Sequence, residues 1–246
     1  MPLRHCTIPR IPSPTRNLSI DLARDPASAR LILHHAQAIT YSPAYLAENA
    51  GGIRQGWPRI PLPDSADALQ ASAALGARLA ILLDPDSLAD GVTAGTIRPE
   101  LRPIAVPVTA PGAKTDWRLT AWGTRTDKGI TMPGRGHVQP RPYSPVEAAT
   151  EAHAATLGAT THDVALNPAT FWRNIPQSVW DCRIGGYQVL KKWLSYRDAS
   201  IIDRPLTTDE VAHIQNTARR LAAILLLGPD LDASYRTCAA THRPLS

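Results

Sequence analysis

Residues 129–143, GITMPGRGHVQPRPY, read as strand, glycine turn, strand. This reading decides the fold, because helical patterns lie on both sides of it. Just upstream, DWRLTAW at 116–122 alternates polar and apolar side chains like a strand. Both pieces sit in a region punctuated by Pro and Gly, 84–146. The expected architecture is α+β, with helical segments at both ends flanking a small β-rich, loop-rich middle lobe.

On the N-terminal side, residues 1–17 are Pro-rich and basic, which suits an extended arm. Residues 25–39 carry Pro26 in a first helical turn, then Ala29, Ile32, Leu33 and Ala36 at helical spacing. A Ser-Pro start at 42–43 predicts a second helix, ended by Gly51-Gly52. WPRIPLP at 57–63 has three prolines and predicts an extended strap. Residues 65–83 form an amphipathic pattern through Leu69, Ala73, Gly76, Leu79, Ala80 and Leu83, stopped by Asp84-Pro85.

On the C-terminal side, 145–157 reads as a short Ala-rich helix and 164–176 as a loop broken by Pro168 and Pro176. The last expected helix starts at a capping box, Thr207 with Glu210, and stops at Gly228-Pro229. Four segments follow: 1–40, 41–95, 96–145 and 146–246, with 41–235 one functional region.

The chain of 246 residues is long enough to bury a core. Its net charge of +5 and pI of 9.4 suit a polyanionic partner, though ordinary proteins share that balance. Cys6, Cys182 and Cys238 are odd in number and form no CxxC, so neither a disulfide framework nor a zinc knuckle is expected. The N-terminus has no apolar core of signal-peptide length, and the longest apolar run, LAAILLL at 221–227, is too short to span a bilayer. The expected location is the cytoplasm, with no membrane contact.

The sequence holds no GxxxxGK[ST], GxGxxG after a strand, HExxH or GxSxG. Asn167-Pro168-Ala169 reads as a turn. His34-His35 and His162-Asp163 lack partners at metal-ligand spacing, which leaves them surface or capping roles. No active site assembles from these residues.

Basic and aromatic residues cluster twice. Residues 183–197, RIGGYQVLKKWLSYR, carry four positive charges, no negative charge and three aromatic rings. On a helix from Tyr187 to Arg197, Tyr187, Leu190, Trp193 and Leu194 form one apolar stripe, with Lys191, Lys192 and Ser195 opposite. Gly185-Gly186 and Arg183 then suit phosphate contacts; the alternative is a packed helix with solvated lysines. In the middle lobe, Arg118, Arg125, Lys128, Arg135, His137 and Arg141 accompany Trp117, Trp122 and Tyr143. They suit DNA contact, with arginine able to pair with guanine edges, or else form a basic surface over a Trp-containing core.

Four strings occur in order: YSPAYLAENAGGIRQGWPRIPLP at 41–63, AWGTRTDKGITMPGRG at 121–136, FWRNIPQSVWDCRIGGYQVLKKWLSYR at 171–197 and RPLTTDEVAHIQNTARRLAAILLLGPDLDASY at 204–235. In them the chain resembles the C-terminal target-recognition (specificity) region of type ISP restriction-modification enzymes and related adenine-specific DNA methyltransferases. The resemblance covers roughly residues 40–235.

The resemblance implies sequence-specific recognition of double-stranded DNA. It implies work with methyltransferase, translocase and nuclease modules, in cis or on another chain. The family's S-adenosylmethionine motif and Asn-Pro-Pro-aromatic motif have no counterpart, so no catalytic residue carries over. No cofactor is expected here; S-adenosylmethionine would bind the missing methyltransferase module. The first 40 residues match less well, which suggests a truncated or split gene product, or a misplaced start, rather than a complete enzyme. Base readers are expected in 110–143, and IGGYQVLKKWL in scaffolding or phosphate positioning. The alternative is a protein-interaction remnant that docks on an intact methyltransferase or nuclease without touching DNA.

Overall fold

The computed structural model describes residues 26–131 and 137–241. The Pro-rich arm at 1–17, Cys6, and the glycine turn with Arg135 lie outside the described residues.

Along the chain, four helices come first: α1 (Pro26–Thr40), α2 (Pro43–Glu48), α3 (Ala50–Gln55) and α4 (Ala66–Leu83). Strands β1 (Val106–Thr109), β2 (Thr124–Thr126), β3 (Gly129–Thr131) and β4 (Val138–Arg141) follow. A 3-10 turn at Pro145–Glu147 leads to α5 (Ala148–Glu151) and α6 (Ala154–Leu157), then β5 (Thr161–Ala165) and β6 (Thr170–Pro176). The rest is α7 (Gln177–Trp180), β7 (Arg183–Ile184), β8 (Tyr187–Gln188), α8 (Val189–Ser195), α9 (Ala199–Ile202), α10 (Thr208–Leu226) and α11 (Gly228–Thr241). The class is α+β, with helices at both ends and the sheets between.

The chain divides into two compact units. The first spans residues up to Ala80 and from Gly228 onward; the second is Ile81–Leu227.

The first unit is helical. Ser42 caps α2 by accepting from the Tyr45 N–H at 3.1 Å. Gly51 and Gly52 lie inside α3 rather than ending α2, because Asn49 closes one helix and opens the next. Residues 57–63 form the expected strap without regular structure. On α4, a Cβ at Gly76 would overlap the backbone of His34, so only glycine permits the close approach to α1.

His35 is fully buried, not a surface residue. Its Nε2 donates to the Pro61 carbonyl at 3.0 Å, and its Nδ1 accepts from the Ser72 hydroxyl at 2.8 Å. Burial pushes its pKa down, which keeps the ring neutral.

The helix α11 was not expected from sequence. Gly228-Pro229 starts it, because proline in a first turn gives up only an N–H that has no helical partner. It is fastened to α2 by Asp232, which accepts from the Ser42 hydroxyl at 2.6 Å and the Ala44 N–H at 2.9 Å. Tyr45 and Tyr235 meet edge to face at 5.4 Å. Among the described residues, α4 is the helix long and apolar enough to cross a membrane, with 18 residues and mean hydropathy 1.3. Its Leu69, Ser72, Ala73, Gly76 and Leu79 are buried.

The second unit is built on a four-stranded antiparallel sheet in the order β1-β6-β5-β4. Residues 164–176 are therefore not a loop. They supply most of a hairpin, β5 and β6, whose turn is organised by Asn167. The Asn167 Oδ1 accepts from the N–H groups of Ala169 and Thr170, each at 3.0 Å. Its Nδ2 donates to the Asp116 and Arg118 carbonyls at 2.8 and 2.9 Å.

Those bonds also tie down residues 116–122. Residues 116–122 bury Leu119 and Trp122, yet form no strand. Their backbone partners are scattered: Thr120 N–H donates to Leu166, and the Leu119 and Trp117 carbonyls accept from Ala199 and Leu206. Residues 129–143 likewise hold two strands that do not pair with each other. The strand β3 pairs with β2, and β4 with β5. The 145–157 segment is broken into three short pieces, not one helix.

The core of this unit gathers Leu101, Ile104, Trp122, Trp172, Ile175 and Leu194 under α10. Trp172 Nε1 donates to the Val211 carbonyl at 3.3 Å, joining β6 to α10. The capping box is present: Glu210 N–H donates to Thr207 Oγ1 at 3.2 Å, and Thr207 N–H to Glu210 Oε2 at 2.9 Å.

Candidate nucleic-acid interface

The Gly185-Gly186 pair makes a hairpin loop, not a phosphate loop at a helix start. Ile184 pairs with Tyr187 across it. Both glycines have positive φ, 57° and 85°, as a type I′ turn requires of its two central residues. Arg183 Nη1 donates to the Gly186 carbonyl at 3.3 Å and crosses the same turn.

The turn delays the helix. It begins at Val189, so Tyr187 leaves the apolar stripe and stands 54% exposed on β8. Leu190 and Leu194 keep their inward places. Ser195 is buried instead of facing solvent, and its hydroxyl donates to the Lys192 carbonyl at 2.7 Å.

The lysines are not freely solvated. Lys191 and Lys192 are half-buried. The Lys192 ammonium lies between two rings, 4.5 Å from the centroid of Tyr187 and 4.6 Å from that of Tyr196. Beside it, the Arg197 guanidinium covers Trp193 at 4.3 Å, and Trp193 stacks on His213 at 5.2 Å with planes 20° apart. Burial and the adjacent Arg197 and Arg220 hold His213 below its ordinary pKa, so the stacked ring is neutral. Ile184, Tyr187, Lys192, Trp193, Tyr196 and Arg197 line an open groove of about 470 Å³. Tyr196, Arg197 and His213 belong to this surface and were not singled out by the sequence. The signal for Tyr196 and Arg197 was their place in the basic stretch; none marked His213.

A second basic element is the β2–β3 ribbon, where Arg125 and Lys128 are exposed. Its root meets the far end of α8. A Cβ at Gly123 would overlap the Ser195 carbonyl. Asp198, 3% exposed, accepts from the Trp122 N–H at 2.8 Å and the Gly123 N–H at 3.2 Å. Burial opposes the charge on Asp198, but these donors and those of Ser200 hold its pKa below the ordinary value.

The other candidates are placed elsewhere. Arg118 is exposed on the irregular 116–122 segment, and His137 is exposed where β4 begins. Arg141 is committed inside the fold. Its Nη1 and Nη2 reach Glu147 at 2.8 and 2.7 Å, and its Nε and Nη2 reach Asp163 at 2.8 and 2.9 Å. Trp122 and Tyr143 are core residues, so the middle lobe does not interleave them with its surface cations. His162, also half-buried, packs near Trp180, with ring centroids 6.5 Å apart. Among the described residues, no group of three or more His, Cys, Asp or Glu side chains is placed to hold a metal.

The chain matches the family described as Type ISP C-terminal specificity domain over residues 17–225. That span takes in the ribbon, the Gly-Gly hairpin and α8, and begins well before the strings that carry the sequence resemblance. No curated protein and no solved structure matches the chain. With most of its length inside the match, the chain belongs to the type ISP C-terminal specificity domain family, the target-recognition part of type ISP restriction-modification enzymes.

Proposed function

We propose that this chain binds double-stranded DNA directly and supplies sequence recognition to methyltransferase, translocase and nuclease modules held in cis or on another chain. It carries no catalytic residue and no cofactor of its own; S-adenosylmethionine belongs to the methyltransferase module. It acts in the cytoplasm. The observation that carries this reading is the surface of β7, β8 and α8. There Lys192 and Arg197 stand with exposed Tyr187 and Tyr196 around one groove, and Arg183 and Lys191 lie on the strand and helix that carry it. Cations set among aromatic rings attract phosphates while the rings offer flat apolar contact. A Gly-Gly turn with open space around both glycines lets a second backbone come close.

The test is a mobility-shift titration of the full chain on duplex DNA from low to high salt. Binding should weaken linearly on a log–log plot as salt rises. No binding at low salt, or binding without a salt slope, contradicts the reading.

One observation favours a second reading, docking on an intact methyltransferase or nuclease without DNA contact. In the first unit, Trp57 is 92% exposed on the strap, and Leu33 on α1 and Leu46 on α2 are exposed as well. Under that reading, Lys191→Glu with Lys192→Glu leaves partner binding intact and has no effect on DNA.

A further inference from the structure

We propose that the β2–β3 ribbon is the element that enters the DNA major groove, with Arg125 reading a guanine edge and Lys128 gripping a phosphate. This rests on the reading that the chain binds DNA, and it assigns base reading to a part of the molecule distinct from the groove beside α8.

The ribbon buries little of itself in the fold it belongs to. Every residue from Thr124 to Gly129 is exposed, and Ile130 is only half-buried. A two-stranded hairpin that buries so little is marginal by itself. Its interactions include a three-residue ladder and the Thr126 hydroxyl, which donates to the Gly129 carbonyl at 3.0 Å.

The root, by contrast, is held from several sides. Trp122 is fully buried, and its Nε1 donates to the Ala165 carbonyl at 2.7 Å. Asp198 takes the Trp122 and Gly123 backbone N–H groups, and Gly123 sits hard against the Ser195 carbonyl. A rigid root under a bare tip presents the tip to something outside the unit.

The tip has the chemistry of a groove reader. Arg125 and Lys128 have no ion-pair or hydrogen-bond partner among the described residues, so folding does not account for them. A two-stranded ribbon fits the major groove, about 12 Å wide, where arginine can make paired hydrogen bonds to guanine O6 and N7. The Gly-Gly hairpin and the ribbon root lie at opposite ends of α8, a helix of seven residues and so about 10 Å long. Phosphate contact by the cations beside α8 and base reading by the ribbon are therefore compatible with one duplex.

The experiment selects a preferred duplex for the full wild-type chain from a randomised library. Affinities for that duplex and a scrambled one are then measured for wild type, Arg125→Ala and Lys128→Ala, with thermal melts to confirm folding. Arg125→Ala should cut the ratio of selected to scrambled affinity by about tenfold or more, leaving scrambled binding within about twofold. Lys128→Ala should weaken both duplexes alike and reduce the salt slope by about 1. A selected-to-scrambled ratio that survives Arg125→Ala overturns the ribbon assignment while DNA binding stands. A wild-type chain that binds no duplex overturns both.

Discussion

Arg141 and Arg125 belong to the same basic run of sequence, yet the fold uses them in opposite ways. Arg141 is held by Glu147 and Asp163 through hydrogen bonds of 2.7–2.9 Å, and Glu147 is only 1% exposed. The Glu147 bonds push the Arg141 pKa up, while burial of Glu147 is offset by its bonds to Arg141 and Ser144. The same cluster ties three pieces of chain, because Asp163 Oδ1 also accepts from the Asn174 N–H at 3.1 Å. Among the described residues Arg125 meets no such carboxylates, and it stands on an exposed ribbon. One arginine is structural and the other faces outward. The difference lies in which acidic residues the topology brings near, not in the residue or its neighbours in sequence.

That contrast can be broken most forcefully at Arg141. Arg141→Ala leaves Glu147 buried and unpaired, and should lower stability by about 3 kcal/mol in urea unfolding. Arg125→Ala should stay within about 0.5 kcal/mol of wild type. Equal effects at the two positions would erase the distinction.

A smaller effect is expected at the Gly-Gly turn. Gly186→Ala meets no steric neighbour, but must hold a φ of 85°, so it should cost about 1–2 kcal/mol. Chemical denaturation would measure this, and a neutral result would mean that the type I′ turn is not retained. The smallest effect concerns pH. The Arg204 guanidinium beside Glu210 holds its carboxyl down at about 2, against an ordinary value of 4.5. A depressed carboxylate contributes stability at neutral pH that is lost as pH falls from about 4.5 towards about 2. Glu210→Gln should flatten that part of the wild-type stability curve, and identical curves would remove Glu210 from the account.

Much of the fold was legible because local signals carried it. The Thr207 and Glu210 capping box, the apolar spacing of α4 and the prolines of the strap each act within a few residues. The failures share a physical cause. Asn167 and Pro168 look like loop residues, and they do form a turn, but the strands on either side are fixed by pairing with β1 and β4 far away in sequence. Residues 116–122 show strand-like alternation, while their backbone partners are distant loops and side chains. The helix α11 was hidden because Pro229 reads as a stop or a start with equal ease.

The candidate site was partly legible. Arg183, Gly185, Gly186, Lys191 and Lys192 do lie on one hairpin and helix. The sequence missed that two glycines with positive φ would place Tyr187 outside the helix, where it covers Lys192. His213 joins the surface only through the packing of α10 on α8, which no local pattern announces.

DNA contact by the half-buried Lys191 and Lys192 of α8 is proposed, whereas Arg141 holds the fold. The most direct test of that contact is the salt dependence of duplex binding by Lys191→Glu with Lys192→Glu, compared with wild type under the same conditions. The expected variant stays folded in a thermal melt, binds at least about tenfold more weakly at low salt, and shows a slope shallower by about 1 for each phosphate no longer neutralised. A folded variant with wild-type affinity and an unchanged slope would contradict it.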